Sequence, residues 1–402
     1  MKLLLFFKIL LAKKQQNIHS NETGPYQFDQ RMDFAMSNEE FFAEVLSVDE
    51  SRIVVAYDGP VHGEVTLEAI SGDGSELLRS GECVGIGRFE LANCSPNSDY
   101  ALHLTAPGAE RRLVCRTLPR PATPELRRFL LLADPHVSFK TENRKGRFFA
   151  ESALLLEEFV HLANQLRPEA VLCVGDLTNA GTNEEYRLCR TILDALALPL
   201  LAVPGNHDVL PPGGTELWRK FFGAPEFQRE LGRGDRIVGL DTSSGYLSES
   251  GAALLRDALD TPGLLIVLSH YLLYPTPDIH RGSNGVIANT AEYVELLEQL
   301  ACRPHTLLYT GHQNIPVVTA PAGARGIRQW TLPQPCQYPC GHLLARFHAE
   351  GVWHTFLPIG SEVLRQWSRT AGDRAAAFYG ERQWESVYRR GRCGLLNQVY
   401  FF

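Results

Sequence analysis

The sequence predicts an α/β domain preceded by a smaller all-β one, and two observations carry the prediction. From about residue 38 to 118, short alternating or β-branched runs are separated by turn chemistry. From about residue 126, uninterrupted apolar runs alternate with segments of helical period. The 402 residues, 44% hydrophobic and 21% charged, suffice for two or three domains and exclude collagen-like, disordered and disulfide-dense classes. A net charge of −7 gives no long-range attraction for nucleic acid or an acidic membrane, so no nucleic-acid-binding surface is expected.

At the N-terminus, Leu3 to Ala12 is apolar, but Lys8 interrupts it and Lys13 and Lys14 follow where a cleavage site would need small residues. It is also shorter than the roughly 20 residues that cross a bilayer, and no other stretch approaches transmembrane length. Residues 1–37 are read as a disordered tail or an over-long start ahead of Met32 or Met36, with a membrane anchor as the alternative. In 38–118, RIVVAYD (52–58), EVTLEAI (64–70), RFELANC (88–94), YALHLTA (100–106) and RRLVCRT (111–117) read as strands. DGPVHG, SGDGS and APGAE between them read as turns, and the set as an antiparallel sandwich. Tyr100 shortly after Pro96, with the closing RTLPRP, resembles a fibronectin type III module. Pro119, Pro121 and Pro124 stiffen a linker over 119–125.

The α/β domain is expected over 126–358. FLLLA (129–133), AVLCV (170–174), PLLAVP (199–204), GLLIVLS (263–269) and TLLYT (306–310) lack polar alternation, so each reads as a strand buried on both faces. Helical spacing marks 148–166, 184–197 and 290–301. HLLARFHAEGVWHTFLPI (342–359) reads as a hairpin turning at Glu350-Gly351, and 359–402 as a C-terminal extension with helix-like polar stretches.

Each of the five buried strands runs directly into a residue able to bind a metal. They meet Asp134-Pro135-His136, Gly175-Asp176, Gly205-Asn206-His207-Asp208, His270, and Gly311-His312-Gln313-Asn314. Ligands of open α/β sheets lie beyond the strands' carboxyl ends, so the five ends are expected to converge. The order D-x-H, GD 40 residues past His136, GNHD with Asn206 30 residues past Asp176, S-H and G-H-x-N is similar to the calcineurin-like metallophosphoesterase superfamily over about 126–358. LDTSSGYLSESGAALLRDAL (240–259) is similar to the strand, loop and helix that many small members carry between GNHD and the later His.

The resemblance implies a four-layer αββα sandwich and two divalent metal ions, manganese, iron or zinc. Asp134 and His136 would hold the first ion, Asp176 would bridge, and Asn206, His270 and His312 would hold the second. A bridging water of lowered pKa would attack phosphorus, with His207 as catalytic proton donor or charge stabiliser. Gly175, Gly205 and Gly311 are expected to supply the sharp turns.

Two positions depart from the family. Asn314 stands where a second His of G-H-x-H completes the first site, so that ion is loosely held if Asn314 ligates, and Asn314 otherwise points to water. Asn179 stands where purple acid phosphatases place a tyrosinate, which disfavours that subgroup. Cys336 and Cys340 near His342 are read as part of a rigid Pro-rich loop beside the site, against a structural zinc. Arg144-Lys145 is read as solvated loop charge, against a phosphate contact. His305 and His354 are read as ordinary residues. Nine scattered cysteines indicate reduced thiols and a cytoplasmic protein. The expected activity is hydrolysis of a small phosphorylated substrate, leaning to a nucleotide-like phosphodiester. The alternative is a non-catalytic protein-binding scaffold with a degenerate metal site.

Overall fold

The computed structural model describes residues 41–402 except 73, 75, 212, 276–284, 314–315, 322–323, 325 and 379–395. The tail expected over 1–37, and Asn314 with its proposed ligand role, lie outside the described residues.

Five antiparallel strands come first, β1 (Phe42–Val48), β2 (Arg52–Ser71), β3 (Glu76–Ala92), β4 (Asp99–Ala106) and β5 (Ala109–Arg116), in one sheet. The runs expected as separate strands at 52–58 and 64–70 belong to one 20-residue strand. The intervening segment makes a register shift between Asp58 and His62 instead of a turn, and a bulge lets a long strand bend while staying paired. Period-two alternation then does what it predicts: Tyr100, Leu102, Leu104 and Ala106 of β4 are buried with Ile53, Val55, Val65 and Leu67 of β2.

The chain continues through β6 (Arg127–Leu132), α1 (Ser152–Leu166), β7 (Ala170–Cys173), α2 (Asn183–Leu193), β8 (Leu200–Ala202), α3 (Gly214–Phe222), β9 (Phe227–Gly232) and β10 (Asp235–Leu240). It then forms α4 (Glu249–Ala258), β11 (Leu265–Ser269), a 3₁₀ turn (Thr290–Tyr293), α5 (Val294–Cys302), β12 (Thr306–Thr310), β13 (Val317–Thr319) and β14 (Ile327–Thr331). The hairpin β15 (Gly341–His348) and β16 (Gly351–Pro358), helix α6 (Glu362–Phe378) and β17 (Gln398–Phe401) close it.

These strands make two six-stranded sheets: β17-β16-β15-β6-β7-β8, antiparallel from β17 to β6 and parallel from β6 to β8, and β13-β14-β12-β11-β10-β9, parallel from β14 to β10 with an antiparallel strand at each edge. Phe129 and Leu131 of β6 face Ile266, Leu268, Leu307 and Tyr309 of the other sheet. Leu130 and Leu132, pointing the opposite way, meet Phe159 of α1. On the far side, Val267 and Leu308 pack under Leu255 of α4 and Leu297 of α5. Two sheets face to face with helices outside are the four-layer αββα architecture, and burial on both faces is why these strands read as unbroken apolar runs. β8 is the exception, only half-buried along its length, because it is the sheet's edge strand.

The described residues belong to one compact unit, Glu40–Phe402, with ionic contacts between its β1–β5 sheet and its C-terminal part. Arg365 of α6 is fully buried between Glu44 of β1 and Glu362, and the Tyr338 hydroxyl donates to the other oxygen of Glu44 at 2.6 Å. Arg369 meets Asp58, and Arg346 forks onto Glu50 at 2.7 and 2.8 Å. Glu44→Ala leaves the buried Arg365 with Glu362 as its one remaining carboxylate and takes an acceptor from the Tyr338 hydroxyl, so it should destabilise the protein by about 1.5–3 kcal/mol in denaturant unfolding. The double variant Glu44→Leu/Arg365→Met should cost less, because neither charge is then left alone. Among the described residues, no helix is long and apolar enough to cross a membrane.

Candidate metal centre

The parallel strands of both sheets deliver their carboxyl ends to one rim. β6 leads to Asp134 and His136, β7 to Asp176, β8 to Asn206, His207 and Asp208, β11 to His270 and β12 to His312. Asp134, His136, Asp176 and His312 all take left-handed backbone, with φ between 46° and 64°. A non-glycine residue pays about 1–2 kcal/mol for that conformation, less for Asp, and such strain persists where the surroundings impose it. Here Asp134 N donates to Gly175 O at 3.1 Å, His136 N to Asp176 O at 3.0 Å and Gly311 N to His270 O at 3.1 Å. The turns expected of three glycines are therefore made largely by the functional residues, and of the three only Gly175 is left-handed. Gly205 and Gly311 allow close approach instead: a Cβ would lie 2.2 Å from Asp176 Oδ1 at the first and 2.5 Å from Asp134 Oδ2 at the second.

Lone pairs, rather than matched donors and acceptors, meet at the centre. His270 donates Nδ1–H to Val174 O at 2.8 Å, so in the neutral ring Nε2 has no proton to give. That Nε2 nevertheless faces Asn206 Oδ1 at 3.0 Å and Asp176 Oδ2 at 3.4 Å. His312 Nδ1 reaches the same Asn206 oxygen at 2.8 Å, and His312 N donates to Asp134. His136 Nε2 lies 3.6 Å from Asp176 Oδ2 and 3.9 Å from Asp134 Oδ1, while its buried Nδ1 has no hydrogen-bond partner among the described residues.

Burial pushes the Asp134 and Asp176 carboxyls up to about 7, and lowers the pKa of His136, His207 and His270. Two buried carboxylates among neutral imidazoles fit a divalent cation, with the mixed oxygen and nitrogen donors that manganese, iron and zinc accept. Two groups satisfy ligand proximity, Asp134 with Asp176 and His270, and His136 with Asp176 and His207. Asp176 is common to both.

The sequence-derived residues Asp134, His136, Asp176, Asn206, His207, His270 and His312 are thus brought together. Three further residues were not singled out by sequence. Asp208, fully buried, accepts from Gly205 N (2.9 Å), Leu177 N (3.2 Å), Thr178 N (2.8 Å) and Thr178 Oγ1 (2.9 Å), tying the β7 and β8 loops together. The signal was present, as the last letter of GNHD. Tyr271 stacks on His312 with ring centroids 4.0 Å apart. Arg147 makes its charge felt at Asp134, His136, Asp176 and His207, whereas Arg144 is exposed and paired with Glu142 at 2.9 Å. Cys336 Sγ donates to Asp134 O at 3.1 Å, which sets the Pro-rich loop beside the site, and His342 packs on Phe159. His354 is a core residue between Trp330 and the Tyr309 hydroxyl.

Convergent carboxylates and imidazoles at the strand ends of a four-layer αββα fold define a metal-dependent hydrolase. Residues 127–315 match the family model described as calcineurin-like phosphoesterase, and the chain carries a calcineurin-like phosphoesterase domain, which places it among the phosphoric ester hydrolases. It is 26% identical over 219 residues to glycerophosphodiester phosphodiesterase GpdQ of Enterobacter lignolyticus, covering 48% of this chain and 75% of that one. It is 28% identical over 165 residues to 3',5'-cyclic adenosine monophosphate phosphodiesterase CpdA of Pseudomonas aeruginosa, covering 39% and 58%. Among solved structures, a dimetal phosphatase from Danio rerio aligns with 14% identity and a TM-score of 0.45 over 58% of this chain and 96% of that one.

Proposed function

We propose that the chain hydrolyses small phosphodiesters at a dinuclear metal centre in the cytoplasm. The observation that carries the reading is that Asp176 falls in both ligand-type groups, as a bridging carboxylate requires, although those groups set Asp134 with His270 and His136 with His207. Asp134, His136 and Asp176 would hold one cation, and Asp176, Asn206, His270 and His312 the other. When bound, such a pair would polarise the phosphoryl oxygens and activate a water as nucleophile near neutral pH.

The remaining chemistry falls to the chain's own side chains. His207 donates Nδ1–H to Asn179 O at 2.6 Å, which fixes the ring, so Nε2 has a proton for the leaving alkoxide only in the imidazolium form, which burial disfavours. His207 N donates to Asp176 Oδ1 at 2.8 Å, so ring and bridging carboxylate are positioned by one another. Two relatives are named for esters of phosphate with two alcohol oxygens, which favours a diester over a monoester.

Metal content and chelation test the proposal. The purified protein should contain about two equivalents of manganese, iron or zinc, lose hydrolysis of bis(p-nitrophenyl) phosphate on chelation, and regain it with manganese. A protein that takes up no metal and hydrolyses no ester when supplied with it would be a scaffold, and the proposal would fail.

A further inference from the structure

Arg147 lies in the loop between His136 and α1, and its backbone is held from three directions. It exchanges bonds with Arg144 (2.9 and 3.2 Å) and bridges to Gln337. The next residue, Phe148, donates to Cys336 O at 2.7 Å, and Cys336 in turn holds Asp134. The preceding Gly146 carbonyl accepts from Ser368 Oγ of α6, and a Cβ at Gly146 would stand 2.5 Å from Ser368 O. The side chain is far less committed than the backbone. It is half-buried, and among the described residues its one hydrogen bond is a long contact of 3.4 Å from Nη2 to Gln337 Oε1. The buried Arg365 and Arg369 and the part-buried Arg346 each face a carboxylate, and the buried Arg303 spends its donors on backbone carbonyls, but no carboxylate among the described residues pairs with Arg147.

A guanidinium carries five N–H donors in a planar fork suited to two oxygens of one oxyanion. At Arg147 nearly all of them are unspent, beside a centre whose own carboxylates, Asp134 and Asp176, are buried among imidazoles. Resting on the hydrolase reading above, we propose that Arg147 binds the non-bridging oxygens of the substrate's phosphoryl group and so holds the ester over the metal centre. The loop contacts from Cys336, Gln337 and Ser368 then serve to aim it.

The test uses the manganese-loaded full chain, inorganic phosphate as probe, and bis(p-nitrophenyl) phosphate as substrate. Arg147→Gln should weaken phosphate binding in calorimetry by about 10- to 100-fold and raise KM similarly, with bound manganese unchanged. Arg147→Lys, keeping the charge without the fork, should fall between; it carries the test if the Gln variant does not fold. Unchanged phosphate affinity and KM in a folded variant would overturn the assignment and leave the hydrolase reading standing. Loss of manganese along with phosphate would overturn it too, by making Arg147 a structural residue. Phosphate binding that depends on Arg147 in a protein without turnover would uphold the assignment and overturn the hydrolase reading.

Discussion

Asp176→Asn should reduce diester hydrolysis at least about a thousandfold and release at least one equivalent of metal, because one carboxylate supplies charge to both ligand groups. The fold should survive, since an amide keeps an oxygen for the His207 N–H that Asp176 Oδ1 now accepts at 2.8 Å. Stability gives an independent readout. Asp176 is held up to about 7 in the metal-free fold, chiefly by burial, against roughly 3.9 in an unfolded chain. Between those values the folded state binds more protons, so metal-free stability falls as pH rises from about 4 through about 7. Asn has no charge to bury. The metal-free variant should therefore unfold at a higher temperature than metal-free wild type at pH 8, and the gap should close towards pH 4. Full metal stoichiometry and turnover in folded Asp176→Asn would remove the bridging role.

The parts of this fold legible in the sequence are those where one physical demand acts on consecutive residues. Parallel strands buried on both faces must be apolar throughout, so FLLLA and TLLYT stand out, and the polar residue that ends each run marks the rim. β14 was not legible because it carries Gln329 into the core, satisfied there by the backbone of Tyr274 at 2.8 and 3.1 Å, a contact 55 residues away in sequence. β9 was missed for the opposite reason: as an edge strand with exposed Gln228, Arg229 and Glu230 it has no apolar run. The continuity of β2 was hidden by the turn-like DGPVHG, whose outcome depends on the partner strand β3. At the site, His270 and His312 could be read from their strands. Arg147 could not, because what distinguishes it from Arg144 and Lys145 is its bridge to Gln337, 190 residues later in the chain.

His207→Ala should lower the rate of alkyl diester hydrolysis by roughly 10² to 10⁴ while bound metal stays within error of wild type. The ring is half-buried, set edge-to-face against His136 with centroids 4.7 Å apart, and anchored through Nδ1 on the Asn179 carbonyl. That anchor decides which nitrogen works: with Nδ1–H committed, only the imidazolium form, which burial disfavours, has a proton to give, and it gives it from Nε2. A group that protonates a leaving oxygen matters in proportion to that oxygen's basicity, so a nitrophenyl ester should lose much less than an alkyl ester in the same variant. His207 also falls in a ligand-type group with His136 and Asp176, and the measurements separate the two roles. Equal losses on nitrophenyl and alkyl esters, accompanied by loss of a metal equivalent, would make His207 a ligand. A loss that grows with leaving-group basicity at constant metal content would establish it as the proton donor.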